Sequence, residues 1–397
     1  MSNLNNYKLL VILTFIACLT GFTADIYIPS FIKMSNDLNA PIESIQRSMS
    51  IFILAVSISQ LIYGPVSEII GRRKPLIIGT IIVFLGSIIC FFASDINILL
   101  IGRFLQGIGA GACACLWRSI FRDSFTTDEI SKYGGYLGIV MVFIVAASPA
   151  LGGVLESYFN WHASFVAIII YSFITLMLTS FVLKETNTQL GSGQMNITFF
   201  KNAFIQLLTS RIFMGYSLCV FLTYGAFFSW IISSSVLLID NLGITPKNFG
   251  LINLFLGGSS MILGGIINGK ILPIFGRVFV LRFGWSLMFL SGVMLIGWNM
   301  FYNQSLISLG VFIFIFLFGA TFIWPSSFAG AFAPFGSIAG CAGSLYSCMQ
   351  LGGGAVIGWL CTFMPTKNSN SLAMIFIITS AISWFIFEFF INKNNDN

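Results

Sequence analysis

Runs of about twenty apolar residues, parted by short polar breaks, recur along the whole chain. At 1.5 Å per residue a helix of that length crosses a hydrocarbon layer ~30 Å thick, so each run predicts a membrane-spanning helix. Six are predicted in the first half, over about 8–31, 46–66, 75–94, 97–118, 133–155 and 162–183. Six more follow over about 211–236, 247–268, 278–299, 304–326, 337–362 and 371–391. The fold expected is an all-α integral membrane protein of twelve transmembrane helices in two pseudo-symmetric six-helix bundles.

One polar break is repeated. Gly64-Pro-Val-Ser-Glu-Ile-Ile-Gly71-Arg72 separates spans 2 and 3, and Gly269-Lys-Ile-Leu-Pro-Ile-Phe-Gly276-Arg277 separates spans 8 and 9, 205 residues later. Each copy sets two glycines seven apart with arginine directly after the second. Equivalent breaks in equivalent places of two halves indicate a duplicated membrane protein, an arrangement typical of secondary transporters. The longest interruption, 186–210, is rich in Gly, Ser, Asn and Gln and then turns amphipathic through Phe199, Phe200, Phe204 and Leu207. It is expected to link an N-terminal bundle, 1–185, to a C-terminal bundle, 211–397, with a short helix on the membrane surface.

Composition agrees with the span pattern. The chain is 57% hydrophobic and 8% charged, against roughly 25% charged in soluble domains, so it lacks the polar surface a soluble fold of this size needs. With the N-terminus placed in the cytoplasm, 14 of the 19 Lys and Arg fall on the cytoplasmic side, as the positive-inside bias requires. Lys33, Arg47, Lys247 and Lys367 fall outside, and Arg103 lies within a span. Both termini are therefore expected to be cytoplasmic, and this bias accounts for the net charge of +6 without nucleic-acid binding.

Catalytic chemistry finds no support. No His/Glu metal set, paired-carboxylate motif or GxSxG elbow lies in the spans, so no enzyme activity, metal or cofactor is expected. The eight cysteines all fall within spans and read as small packing residues. The lone His162 follows Trp161 at the start of span 6 and reads with it as an interfacial anchor.

Several stretches of the first 185 residues resemble the major facilitator superfamily, in particular its bacterial Bcr/CflA-type drug:proton antiporters, the bicyclomycin and chloramphenicol resistance group. They are Asp25-Ile-Tyr27-Ile-Pro29, then Gln46, Ser50, Gln60 and Gly64-Pro65, then Arg103-Phe-Leu-Gln106-Gly-Ile-Gly109. Arg118, Arg122-Asp123, Pro149-Ala-Leu-Gly152-Gly153 and Trp161 with Phe165 complete the set, and in the second half Ala339-Gly340 with Ser344 is the best match. Two positions depart from the family pattern. Glu68 stands where aspartate is usual, followed by Ile69 in place of a basic residue, and Ser148 replaces the glycine before Pro149.

The resemblance implies a proton-coupled antiporter of the bacterial inner membrane, exporting small, partly lipophilic drugs or metabolites by alternating access. The alternative within the class is a dedicated exporter of one endogenous metabolite, such as a siderophore or amino-acid derivative. A charge at a helix centre costs ~2.5–3.5 kcal/mol on insertion scales, so intramembrane charges usually face a cavity or a partner. Asp25 and Arg103 are accordingly the proton-coupling candidates, on spans that the superfamily packs side by side. Tyr27, Gln60, Gln106, Tyr224, Trp230, Asn253, Tyr346 and Gln350 are the substrate-binding candidates. Their neutral groups and aromatic faces suit neutral or zwitterionic compounds. Gly64, Glu68, Gly71, Arg72, Pro149, Gly152 and Gly153 are the gating candidates, with Glu68 and Arg72 spaced to pair with each other or with span 11. The partners expected are a small-molecule substrate, protons and membrane lipid, for a chain acting as a monomer.

Overall fold

In the apolar interior of a bilayer, backbone N–H and C=O groups must pair within the chain, and helices are the local way to do so. The computed structural model is built on that solution and describes residues 2–187, 197–365 and 369–391. Residues 188–196 of the expected linker, together with Lys367 and Lys393, lie outside the described residues.

In the first half, α1 (Ser2–Asp25) is prolonged by a 3-10 turn at Ile28–Ser30 and a short α-helical stretch at Phe31–Asp37. It is followed by α2 (Ile42–Ile70), α3 (Arg73–Phe91), α4 (Ile96–Ser124), α5 (Thr127–Tyr158) and α6 (His162–Met177). The amphipathic stretch forms α7 (Ile197–Thr209), short of a span and placed between the halves. The second half begins with α8 (Arg211–Ser235). The run Pro246–Phe301 then reverses at Gly276 into α9 before it and α10 after it. Next come α11 (Leu306–Phe332), α12 (Ala339–Cys361) and α13 (Asn370–Ile386). Among the described residues ten stretches are long and apolar enough to span. Counting Pro246–Phe301 twice and adding the glycine-rich α12 gives the twelve expected crossings.

The repeated break has one backbone conformation in both copies. Gly71 has φ 96 and ψ 164, and Gly276 has φ 77 and ψ 171. This left-handed region is strained for any residue with a Cβ, which explains the recurrence of glycine seven residues after the first. Polar residues in the other breaks close helix starts. Asp95 accepts from the backbone N–H groups of Asn97 (2.8 Å) and Ile98 (3.2 Å), and Thr126 with Glu129 forms a reciprocal cap on α5.

Several helices extend past their sequence-predicted ends, α4 most consequentially, from 118 to Ser124. Ser148 also acquires a reason. Pro149 carries no N–H, so the carbonyl of Val145, four residues earlier, loses its helical donor, and the Ser148 hydroxyl supplies one at 2.7 Å. The departure from the family's glycine thus satisfies a carbonyl that would otherwise be orphaned in the membrane.

The two bundles touch differently at their two ends. We call basal the face at which α1 begins, and apical the opposite one. Near the apical face α5 and α9 are in backbone contact. A Cβ at Gly153 would collide with the Pro246 carbonyl, one at Gly152 with the Ile26 carbonyl, and one at Gly250 with the Pro149 carbonyl. Gln46 Nε2 donates to the Ile232 carbonyl (3.0 Å) and Arg47 Nε to Thr362 Oγ1 (3.2 Å), tying α2 to the second bundle at the same end. Toward the basal face α2 and α12 stay together, with Ser57 Oγ donating to the Cys348 carbonyl at 2.8 Å. There α5 and α9 part company: Gly135, Gly138, Gly265 and Gly269 have nothing within 4 Å of a built Cβ. The apical side is closed and the basal side open.

Candidate functional site

Arg103 is wholly buried on α4 and ties four helices together. Its Nη1 donates to the Thr23 carbonyl of α1 (3.0 Å) and to Gln106 Oε1 (2.7 Å). Gln106 Nε2 in turn donates to Ser87 Oγ of α3 (2.8 Å). The guanidinium is sandwiched between the rings of Tyr27 (4.3 Å) and Phe52 (4.1 Å), and Tyr27 shares a 2.9 Å hydrogen bond with Ser48. Cation–ring contacts in a desolvated slot and a planar donor fork suit arginine and not lysine here. Tyr27 and Gln106 are therefore placed inside the first bundle as supports of Arg103, and they border none of the cavities described below.

Asp25 sits two residues beyond the carbonyl that Arg103 clamps. Among the described residues it makes no hydrogen bond or ion pair, and Arg103 acts on it through space alone. Its half-buried carboxylate borders a cavity of about 270 Å³ between α1 and α5 of one bundle and α8, α9 and α11 of the other. Trp230 and Asn253, two of the expected binding residues, line the same cavity with Met141, Phe227 and Met261. Asn253 Nδ2 donates to the Phe249 carbonyl at 3.1 Å. Pro149 also lines it, so the closure point of α5 and the carboxylate share one space.

A second cavity, about 230 Å³, lies toward the basal face and is bordered by Gln60, Arg118, Ser119, Phe328, Phe332 and Ser347, among others. Tyr224 interacts with Gln350 and with Arg118. Its ring packs on Trp324 at 4.7 Å, and Trp324 meets Phe227 of the first cavity at 5.4 Å. An aromatic ladder thus runs from Tyr224, which interacts with Arg118, to Phe227 at the first cavity. Tyr346 is buried behind the edges of Phe328 (5.5 Å) and Phe332 (5.7 Å), one layer back from the wall.

Arg118, Trp324 and Phe227 were not among the expected site residues. Arg118 looked like a charge at the membrane edge because span 4 was ended at 118. With α4 running to Ser124 it stands six residues inside the helix end, ~9 Å along the axis.

At the basal mouth Arg72 is almost fully buried and joins three partners on its own bundle. They are Glu68 Oε2 (2.8 Å), Asp123 Oδ2 (3.0 Å) and Ser67 Oγ (2.7 Å). The expected Glu68–Arg72 pair is present, and Glu68 also comes near Gly340 of α12. Gly64 approaches Ser344 of the same helix, where an added Cβ would stand 3.3 Å from the Ser344 Cβ. This network borders a cavity of about 360 Å³ that opens at the basal face. The second bundle has a separate basal pair, a two-bond contact from Arg282 to Glu388 at 2.6 and 2.8 Å. At the apical end the buried Trp161 stacks on His162 with ring centres 3.6 Å apart and donates to Asp37 (3.0 Å).

Gly71 is held by its surroundings as well as by its φ. The Glu185 carboxylate accepts the N–H groups of Arg72 (2.8 Å) and Arg73 (3.1 Å) and fills the space a Cβ at Gly71 would need. Burial disfavours the Glu185 charge, but the backbone N–H groups of Asn187, Arg72, Arg73 and Thr186 outweigh it and hold the carboxyl below the usual glutamate range. A carboxyl so depressed stabilises the fold above its unfolded value of ~4.3, and that stability is lost as pH falls through the folded value. Thermal unfolding in detergent should show Glu185→Gln less stable than the parent at neutral pH, with the gap closing as pH falls below ~4. A gap independent of pH would contradict this account of the lock.

A family model, that of the Major Facilitator Superfamily, matches residues 13–357. The "Uncharacterized MFS-type transporter YdgK" of Bacillus subtilis is 30% identical over 92% of this chain and 91% of its own. The "Bicyclomycin resistance protein homolog" of Haemophilus influenzae is 24% identical over 95% of this chain and 94% of its own. Among solved structures, the xylose transporter XylE of E. coli, in a partially occluded inward open conformation, superposes with a TM-score of 0.74. It covers 97% of both chains at 14% identity, a likeness of fold alone.

Proposed function

The chain belongs to the Major Facilitator Superfamily and is a membrane transporter, and from that premise we propose that it exports small molecules in exchange for protons. The observation that carries this reading is Asp25, a half-buried carboxylate without an ion-pair partner among the described residues. It borders the cavity between the bundles, beside the point where they close. A charge in such a place is stable only when water, a proton or a partner compensates it, so its protonation state and the opening of the cavity are linked.

The basal face carries most of the Lys and Arg and is assigned to the cytoplasm, with both termini there, in a bacterial inner membrane. The structure's open side is then the side from which an exporter loads. In this reading substrate enters between the bundles and Asp25 gives up its proton to the cytoplasm. The bundles 1–185 and 211–397 rock about the α2–α12 contact, and Asp25 is protonated again from outside, which resets the carrier. Arg103 holds α1 against α4 and fixes the field at Asp25, and Arg72 with Glu68 and Asp123 shapes the cytoplasmic mouth. Relatives named for bicyclomycin and multidrug resistance support a drug-sized substrate.

The test is flux. In proteoliposomes holding the monomeric chain, an imposed pH gradient should drive uphill movement of a neutral aromatic antibiotic, and collapsing the gradient should stop it. Equal flux with and without the gradient would remove the proton from the mechanism.

A further inference from the structure

The charges that border the basal cavities do not cancel. Three arginines, Arg72, Arg118 and Arg122, face two carboxylates, Glu68 and Asp123, leaving one positive charge over (3 − 2). Both carboxylates are taken. Glu68 pairs with Arg72 at 2.8 Å, and Asp123 pairs with Arg72 at 3.0 Å and Arg122 at 3.5 Å. Among the described residues Arg118 has no hydrogen-bond acceptor and no ion pair. Its guanidinium carbon lies 4.8 Å from the centre of the neighbouring Trp117 ring.

Arg103 shows what a structural arginine looks like in this fold. It is walled in by two rings, and it clamps a backbone carbonyl and an amide oxygen. Arg118 is the reverse, exposed to the cavity with its fork unengaged. Around it stand groups that can complete an anion's hydrogen bonds: the Tyr224 hydroxyl and Gln350 across the gap, and Ser119 and Ser347 on the wall. Next to them Phe328 lines the apolar wall, and Trp324 packs between Tyr224 and Phe227. A guanidinium held inside a membrane protein is costly unless an anion meets it, and a planar carboxylate matches its fork.

We propose that Arg118 receives the anionic group of the carried molecule, and that the substrate is an organic acid or zwitterion with an aromatic or aliphatic body. Its carboxylate lies on Arg118 between Tyr224 and Gln350, and its body rests along the Trp324–Phe227 ladder toward the Asp25 cavity. This rests on the export reading above and narrows it, because a cation is repelled at the mouth and a neutral compound leaves Arg118 unmatched. The surplus positive charge of the mouth would also gather anions from solution, an effect that salt weakens.

The full-length protein in detergent tests this with two probes that share one body, 1-naphthylacetate and its neutral amide, 1-naphthylacetamide, measured by titration calorimetry. The acid should bind about tenfold or more tightly than the amide, the ratio expected of one charge-assisted hydrogen bond. Arg118→Gln should bring that ratio to about one while leaving amide affinity within about twofold, which also shows that the variant is folded. Arg118→Lys, which keeps charge but loses the fork, should fall between them. A ratio near one in the parent protein, no binding of the acid, or an acid preference that survives Arg118→Gln would each overturn the proposal. Proton-driven flux of naphthylacetamide separates the two claims. If the amide moves under a pH gradient while the acid gains nothing from Arg118, export stands and the acid-binding site falls.

Discussion

In reconstituted vesicles, Asp25→Asn should bring pH-gradient-driven export down to the level of protein-free vesicles. The amide has nearly the shape of the carboxyl group but cannot take up or release a proton. Among the described residues Asp25 has no hydrogen bond or ion pair to lose, so the change costs the fold little. Substrate exchange at equal pH, which needs only the site and the rocking motion, should continue. The variant thus uncouples transport without abolishing it. Unchanged uphill flux would put the proton elsewhere, and loss of exchange together with uphill flux would make Asp25 a structural group.

The second large effect is expected at the apical closure. A side chain at Gly153 has no room, because its Cβ would run into the Pro246 carbonyl of the facing helix. Gly153→Val should therefore hold α5 and α9 apart and favour the apical-open form. Overpacking of this kind costs ~1–3 kcal/mol, about 5- to 150-fold in the ratio of the two forms. The readout is a cysteine at position 253, in a background lacking the native cysteines, labelled from the apical side by a membrane-impermeant maleimide. Labelling should speed up by that factor in Gly153→Val, while export slows. Gly135→Val, on the same helix where nothing lies within 4 Å, is the control and should leave labelling unchanged. Equal labelling in all three proteins would show that the glycine contact is ordinary packing.

Much of this fold was legible because the bilayer imposes a simple rule on sequence. Twenty apolar residues must be a helix, and the chain has twelve such runs. The duplication was legible too, since Gly71 and Gly276 answer the same backbone demand in both halves. The Glu68–Arg72 pair could be read from two opposite charges four residues apart across the turn between α2 and α3.

What sequence could not supply was rotation and depth. Tyr27, Gln106 and Tyr346 are polar residues on spanning helices, expected on a cavity wall for their neutral hydrogen-bonding groups and aromatic faces. Packing turns them inward, Tyr27 and Gln106 onto Arg103 and Tyr346 behind two phenylalanines. Arg118 was hidden by an error of six residues in one helix end. Hydropathy falls off at the arginine itself, whereas the helix continues through Ser124. Asp25 and Arg103 were found by cost, as charges in an apolar segment, but their relation differs from the contact anticipated. Arg103 spends its hydrogen bonds on Thr23 and Gln106, and Asp25 is left facing the space between the bundles.

The central claim is that substrate and proton compete through Asp25, and the most direct measurement is proton release on substrate addition. Purified protein in weakly buffered detergent solution is challenged with a panel of neutral, anionic and cationic aromatic compounds, with binding followed in parallel. The account predicts that compounds which bind release protons from the parent protein, and that the same compounds bind to Asp25→Asn without releasing any. Binding without proton release in the parent, or equal release from Asp25→Asn, would contradict it.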